Sequence, residues 1–249
     1  MNIPLHNLPF LCDLNQEKKL DLPVLLLFRI EKRGVRMKLT ETAVKVLDIL
    51  EKEYPGAQVT LNFKDPLQLL IATVLAAQCT DERVNLVTKD LFKKYRKAAD
   101  FGGADLKTLE QEIRSTGFYH NKAKSIINCC QMIEKIFNGQ VPQTLEELTT
   151  LPGVGRKTAN IILGNAYGQQ ALAVDTHVKR VTHRLGWAKS DDPDKIESEL
   201  MKVIPRGRWT MACHHLVFHG RKVCRAKNPQ CPTCPVAKFC PKIGVSLKK

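Results

Sequence analysis

Apolar residues recur along most of the chain at the three- and four-residue spacing that is typical of amphipathic helices. The first such pattern spans residues 44–50 and predicts a helix that ends before Pro55. A second helix is expected to begin after Asp65, and its segment 69–77 is apolar on all sides, which predicts a buried position. Further helices are predicted over residues 83–95, 106–115, 122–137 and 145–149, and a weak strand over residues 59–63. The pattern therefore predicts an all-α protein.

The first 36 residues lack this periodicity. Pro4, Pro9 and Pro23 would interrupt a long helix, and no regular pattern of apolar positions emerges. We expect residues 1–36 to be irregular, either a flexible basic arm or an extension upstream of the functional start. Deleting them should leave activity intact.

The overall composition excludes some classes of protein. Of the 249 residues, 43% are hydrophobic, which excludes a wholly disordered chain. The longest mostly apolar run, residues 69–77, is far shorter than the ~20 residues that cross a bilayer. We therefore expect no membrane-spanning segment.

The positive charge is concentrated towards the C-terminal end. The formal net charge is +14, and residues 201–249 contain eleven Lys and Arg residues but no Asp or Glu. Such a basic block attracts phosphate polymers or acidic membranes by long-range electrostatics. The alternative is a basic surface that contributes only to solubility.

A Gly-rich turn between two predicted helices is the first candidate site. The sequence LPGVGRKTAN at residues 151–160 predicts a tight turn through Gly153, Val154 and Gly155, followed by a new helix from about Arg156. Free N–H groups at the start of that helix would bind an anion, and a phosphate is the natural ligand.

Lys157 and Asp175 are the candidate reactive side chains. Lys157 lies in the first turn of the helix after the turn, where the helix macrodipole disfavours a cation, as a nucleophilic amine requires. The alternative is a lysine that only contacts phosphate. Asp175 follows eighteen residues later, within AVDTH, and is predicted to cap the next helix. A carboxylate held there could act electrostatically beside a lysine, although capping alone would also explain it.

Four cysteines near the C-terminal end have the spacing of metal ligands. Cys224, Cys231, Cys234 and Cys240 follow the pattern C-x6-C-x2-C-x5-C. Structural zinc usually shows two C-x2-C pairs, so an iron–sulfur cluster fits this single pair better, and zinc is the alternative. An odd total of nine cysteines and the lack of a secretory signature argue against disulfides. The remaining candidates are expected to be core thiols or structural side chains: Cys12, Cys79, Cys129, Cys130, Cys213, His214, His215 and His219.

Together these segments resemble the endonuclease III family, the DNA glycosylase/AP lyase branch of the helix-hairpin-helix superfamily. LPGVGRKTAN, VDTH and the four-cysteine pattern occur in the order of that family, and segments 61–85 and 116–123 are similar to it as well. The resemblance extends from about Lys38 to the C-terminus.

The resemblance implies an all-α fold of two domains, with Lys157 and Asp175 facing each other across a cleft. The implied limits are 63–169 for a six-helix barrel domain, 145–164 for its helix-hairpin-helix, 37–62 with 170–249 for an iron–sulfur cluster domain, and 224–240 for the cluster loop.

The implied activity is base-excision repair of double-stranded DNA that contains damaged, oxidised pyrimidines or abasic sites. Lys157 would displace the flipped base and form a Schiff base with the sugar, Asp175 would assist, and β-elimination would cleave the strand on the 3′ side. Gln78 and Phe118 would fill the space left by the base, and Arg225 and Lys227 would contact the DNA backbone. The family more often has Leu where Phe118 stands, so the opposite-base preference stays open.

The resemblance also implies one [4Fe-4S] cluster as cofactor, and we expect a monomer in the cytoplasm, at the nucleoid if the cell is prokaryotic. Two alternatives remain. One is a monofunctional mismatch or adenine glycosylase of the same superfamily; its adenine-excising form lacks a lysine at the position of Lys157. The other is a non-catalytic iron–sulfur protein that uses the hairpin as a DNA clamp.

Overall fold

A computed structural model describes the backbone of residues 22–246 and the side chains of residues 38–246. In this part of the chain the structure has eleven α-helices and no strand, which confirms the all-α class. The helices are α1 Leu22–Glu53, α2 Pro66–Leu75, α3 Asp81–Lys94, α4 Ala98–Gly102, α5 Leu106–Glu112, α6 Tyr119–Phe137, α7 Leu145–Thr150, α8 Arg156–Ala166, α9 Thr176–Arg184, α10 Pro193–Leu200 and α11 Trp209–Lys222. None of them is long and apolar enough to cross a membrane.

The beginning of α1 corrects the expectation for the N-terminal residues. The helix begins at Leu22, so the prediction that the chain is irregular up to residue 36 is wrong for residues 22–36. Pro23 does not prevent this, because it lies at the second helical position, where the missing N–H has no partner in the helix. Residues 1–21 lie outside the described part of the chain. The chain divides into two compact units, Met1–Lys38 and Leu39–Lys249, and all that follows concerns the second.

The strand predicted over residues 59–63 does not form. The side chain of Asn85, on α3, makes the two backbone hydrogen bonds that a neighbouring strand would otherwise make. Its Oδ1 accepts from the Asn62 N–H at 2.8 Å, and its Nδ2 donates to the Thr60 carbonyl at 2.8 Å. The segment is extended, and its Leu61 packs into a helical core.

The first core is formed by α2 to α8, the helices of the segment predicted as the barrel. Asp65 caps α2 by accepting the Gln68 N–H at 2.9 Å, and Pro66 occupies the first helical position. Leu69, Leu70 and Leu75 are completely buried, as the apolar run predicts. The remaining members of this core come from the helices around α2 and include Phe101, Leu109, Ile126, Ile133, Leu148 and Ile162.

The second core joins the part of α1 from Ala43 onwards to the C-terminal part of the chain. Leu47 and Leu50 of α1 pack with Leu172, Leu216 and other residues between 172 and 236. Helix α1 therefore supplies the first residues of the second core, the residues of the barrel core follow, and the chain from Leu172 onwards completes the second core. The two-domain, all-α fold expected from the sequence is confirmed.

Candidate active site and cluster loop

A cavity of about 800 Å³ lies where side chains of the two cores meet. Lys157 and Gln78 reach it from the barrel side, and Asp175 and His214 reach it from the other side. The structure therefore brings together three of the candidate site residues, Gln78, Lys157 and Asp175. A cavity of this size can hold a nucleotide-sized ligand.

The turn before α8 has the backbone geometry that its glycines allow. Gly153 has a φ of +79°, in the left-handed region that favours glycine. Val154 between the glycines is 5% exposed and packs into the barrel core, and its N–H donates to the Leu151 carbonyl at 3.0 Å. Val154 therefore anchors the turn. Gly155 caps α8 without a side-chain acceptor, so the first N–H groups of this helix lack the capping bond seen at α2.

Gly153→Ala and Gly155→Ala form a matched pair that tests this turn. A Cβ on Gly153 would lie 2.9 Å from the Ser125 Cβ and would keep a left-handed φ, whereas a Cβ on Gly155 meets nothing within 4 Å. We expect Gly153→Ala to lower the free energy of unfolding by about 1–3 kcal/mol. Gly155→Ala should cost less, because its φ of −91° suits any residue. Thermal unfolding checks this, and equal losses in both variants would contradict it.

Arg156 makes a protein contact that the sequence does not indicate. Its guanidinium forms a bidentate pair with Glu197 of α10, with both N–O distances at 2.8 Å. Glu197 is only 3% exposed and also accepts from Asn160 Nδ2 at 3.0 Å. The guanidinium of Arg156 is therefore engaged in holding α8 against α10, and its backbone N–H lies at the first position of a helix that has no side-chain cap.

Lys157 and Asp175 differ in how firmly they are held. Lys157 is exposed in the first turn of α8. Asp175 is half-buried and caps α9: its Oδ1 accepts from the His177 N–H at 2.8 Å and the Val178 N–H at 2.7 Å. Both bonds use the same oxygen, which leaves Oδ2 for another partner. The site thus combines an exposed amine with a carboxylate that two backbone hydrogen bonds hold in place.

The helix that Asp175 caps is also tied to the cluster loop. Nδ1 of His177 lies 3.1 Å from an Arg180 guanidinium nitrogen and accepts a hydrogen bond from it, because a guanidinium can only donate. Burial lowers the pKa of His177, which keeps that nitrogen free to accept. Nε of Arg180 donates to the Cys224 carbonyl at 3.0 Å. One turn of α9 therefore connects the carboxylate with the first cysteine of the loop.

Gln78 and Phe118 share an unusual backbone conformation. Gln78 has a φ of 55° and Phe118 a φ of 49°, although neither is glycine. Both side chains are exposed, and Phe118, at 62%, has the largest exposed fraction of the bulky apolar residues within residues 38–246. Gln78 lines the cavity, whereas Phe118 is outside its lining. Left-handed non-glycine residues cluster at functional sites, where the surrounding structure supports the strain.

The four candidate cysteine ligands line one small cavity, together with Val181, Leu185 and His219. Burial raises the pKa of the Cys234 and Cys240 thiols, and the negative charges of the neighbouring cysteines raise it further. Such mutual repulsion is relieved by a cationic centre among the sulfurs. Within residues 38–246, no three His, Cys, Asp or Glu side chains lie close enough together to hold a single metal ion. The structure thus places the four thiols around one cavity.

Arg184 holds the loop that follows the first cysteine. It is 9% exposed, and its guanidinium donates to the Arg225 carbonyl at 2.7 Å, the Ala226 carbonyl at 3.2 Å and Cys224 Sγ at 3.3 Å. Arg184 thus binds the backbone of this loop, and the side chains of Arg225 and Lys227 are exposed. This loop thus presents two cations beside the cysteines.

Sequence reasoning missed two polar pairs that line the large cavity. Asp81 and Arg221 form an ion pair at 3.0 Å between α3 and α11. His214 Nε2 donates to Asn165 Oδ1 at 2.8 Å, and burial lowers the pKa of His214 to about 4, so this imidazole is neutral. No local signal marks these pairs, since their partners are 140 and 49 residues apart. Of the expected core thiols, Cys129, Cys130 and Cys213 are buried, Cys79 lines the cavity, and Cys12 lies outside the described residues.

Comparison with known proteins agrees with this arrangement. Residues 71–206 match the HhH-GPD superfamily of base excision DNA repair proteins. The chain is 50% identical to endonuclease III of Synechocystis sp. over 207 residues, which cover 83% of this chain and 94% of the relative.

Two solved structures are also similar. One is a non-covalent endonuclease III–DNA complex with a TM-score of 0.78 and 47% identity, covering 82% of this chain and 95% of that chain. The other is a trapped endonuclease III–DNA covalent intermediate, also with a TM-score of 0.78 and 47% identity, covering 82% of this chain and 96% of that chain. This chain therefore belongs to the HhH-GPD superfamily of base excision DNA repair proteins, as a member of the endonuclease III family.

Proposed function

We propose that this protein removes oxidised pyrimidines from duplex DNA and cleaves the strand at the resulting abasic site, with Lys157 as the nucleophile. As an endonuclease III, it is a base-excision repair enzyme with DNA glycosylase and DNA-(apurinic or apyrimidinic site) lyase activity. The observation that carries the residue assignment is the shared cavity, which an exposed lysine and a carboxylate held by two backbone N–H groups both line. Both come from one chain, so the active unit is proposed to be a monomer.

Lys157 carries the covalent chemistry in this proposal. Its neutral Nζ attacks C1′ of the flipped nucleotide, the bond between C1′ and the base breaks, and the base leaves with the electron pair. The sugar ring then opens to a Schiff base with Lys157. This acidifies C2′, and loss of a C2′ proton expels the 3′ phosphate, which cleaves the strand on the 3′ side. Water finally hydrolyses the Schiff base and restores the amine.

Asp175 stabilises charge during the first of these steps. Its carboxylate is held at the start of α9 by two backbone N–H groups, so its position requires no reorganisation when the bond to the base breaks. The negative charge of Asp175 stabilises the positive charge that builds up on the sugar as the base leaves, and Oδ2 can take a proton from Lys157.

The DNA-contacting residues are assigned from the family resemblance together with their local geometry, and of them only Gln78 lines the cavity. The turn from Gly153 to Arg156 offers uncapped N–H groups to a phosphate. Gln78 and Phe118 enter the duplex where the target base has left, because an apolar wedge stabilises unstacked base steps. Arg225 and Lys227 are exposed and contribute contacts to the backbone.

We infer that the cofactor is one [4Fe-4S] cluster held by Cys224, Cys231, Cys234 and Cys240. The family resemblance, the single C-x2-C pair in the sequence and the shared cavity of the four cysteines support this assignment. When bound, the cluster would cross-link four points of the loop. The chain's own residues, above all Arg184, then hold the two loop cations towards the DNA.

The cofactor assignment predicts a coloured protein. Protein purified without chelators is expected to absorb broadly near ~400 nm, as iron–sulfur proteins do, and to contain iron and sulfide in equal amounts. Removing the metal should lower the melting temperature, since the loop loses its cross-link. Colourless protein with one zinc per chain would contradict the assignment.

The proposed substrate class is tested with a panel of lesion-bearing duplexes, in which base release and strand nicking are scored separately. Duplexes with an oxidised pyrimidine should give both products, and duplexes with an abasic site should give nicking. An adenine–8-oxoguanine mispair and a thymine–guanine mismatch should give neither. Base release without nicking would instead favour a monofunctional glycosylase, and binding without either product would favour the clamp.

A further inference from the structure

Lys122 is a buried lysine without a carboxylate among its hydrogen-bond partners. It lies in the first turn of α6, is only 6% exposed, and donates from Nζ to two backbone carbonyls, those of Leu75 and Thr116, both at 2.8 Å. Burial lowers its pKa. A lysine is seldom buried in this way unless its hydrogen bonds hold something in place.

The two carbonyls belong to the ends of two elements. Leu75 is the last residue of α2, and Thr116 is the last residue of a 3-10 turn over Arg114–Thr116. Carbonyls at such ends have no partner within their own helix, and a cation there is also favoured by the helix dipole. The ammonium group of Lys122 therefore binds the terminal carbonyls of both elements, although Lys122 is 47 residues away from Leu75 in the chain.

Both carbonyls lie just before the two left-handed residues. Leu75 precedes Gln78 by three residues, and Thr116 precedes Phe118 by two. The two oxygens cannot be further apart than twice 2.8 Å, because both contact the same nitrogen. Thr116 itself is 2% exposed, and its hydroxyl donates to the Ile113 carbonyl at 2.8 Å, so the backbone oxygen that Lys122 contacts is held in place. A single side chain thus bridges the two backbone segments that lead to Gln78 and Phe118.

We propose that Lys122 is a positioning residue that holds Gln78 and Phe118 at the separation needed to enter the duplex together. The inference rests on the proposed role of these two residues as the wedge. Without the ammonium group, the end of α2 and the segment before Phe118 would lose the hydrogen bonds that join them, and the separation of the two wedge residues would be less well defined. The chemistry at Lys157 would be unaffected once a nucleotide is in the cavity.

The test compares Lys122→Met on two substrates. One is a duplex with an oxidised pyrimidine, where the base must be flipped, and the other is a single-stranded oligonucleotide with an abasic site, where there is no stack to open. We expect Lys122→Met to slow base release from the duplex by about 10- to 100-fold. Borohydride trapping on the single strand should change by less than about twofold.

A matched control separates positioning from simple destabilisation. Leu109→Ala removes a completely buried side chain of the same core and should lower the melting temperature without changing the ratio of the two rates. If Lys122→Met slows both substrates equally, or neither, the positioning role is overturned. This outcome is read from a ratio, so it does not depend on how much stability the variant loses.

Phe118→Ala and Gln78→Ala distinguish failure of this inference from failure of the wedge assignment. Each should also slow the duplex reaction selectively, and Lys122→Met added to Phe118→Ala should give much less than the product of the single effects, because coupled residues are not additive. Unchanged ratios in the two wedge variants would overturn the wedge and the inference together. Changed ratios there, with full additivity for Lys122→Met, would overturn the inference alone.

Discussion

Replacing Lys157 with glutamine is expected to reduce nicking of an abasic duplex by at least about 10³-fold, since loss of a nucleophile removes the covalent route altogether. Lys157 is exposed and makes no contact that supports the core, so the variant should fold normally and keep its affinity for DNA. The measurements are single-turnover nicking and borohydride trapping, in which the wild-type protein should form a covalent adduct and the variant should not.

Lys89→Gln is the matched control for this variant. Lys89 is exposed like Lys157 but lies near the middle of its helix, α3, and does not line the cavity. Its variant should nick and trap like the wild type. Nicking by Lys157→Gln at the rate of this control would disprove the proposed mechanism.

Replacing Asp175 with asparagine is expected to lower the rate of base release by about 10²- to 10⁴-fold while leaving the fold intact. Asparagine can accept the same two N–H bonds from His177 and Val178, and it is as good an N-cap as aspartate. The variant therefore removes the charge and keeps the cap. Thermal unfolding and single-turnover base release together check both parts of this expectation.

Asp175→Ala supplies the contrast. It removes both charge and cap, so it should show the same kinetic loss and, in addition, a loss of about 1 kcal/mol in the free energy of unfolding. A fully active Asp175→Asn would assign the carboxylate to capping alone. Capping alone, the alternative that the sequence leaves open for Asp175, would then be the correct interpretation.

The parts of the fold that could be predicted are those specified by neighbouring residues. Asp65 and Asp175 both cap the helices that their local patterns indicate, because an N-cap needs only an acceptor and the next three residues. The all-apolar segment at 69–77 correctly predicts the centre of the barrel core, although α2 ends at Leu75. The turn at Gly153 is likewise determined locally, by a φ that favours glycine.

The parts that could not be predicted depend on partners distant in the sequence. The pair between Arg156 and Glu197 joins residues 41 apart, and nothing near either residue indicates the other. The segment 59–63 has the composition of a strand, but the side chain of Asn85 satisfies its backbone. The left-handed φ of Phe118 is also invisible in the sequence, because phenylalanine has no preference for that region.

The barrel core is complete on the growing chain well before the second core. Leu47 and Leu50 of α1 pack against Leu172 and Leu216, so the ribosome must add residues 58–171 before their partners emerge. At about 5–20 residues per second, this delay lasts on the order of ten seconds. During that time the apolar side of α1 lacks its native partners and is open to chaperones. A nascent chain stalled just after residue 171 has left the ribosome is therefore expected to carry a folded barrel and a chaperone-bound first helix.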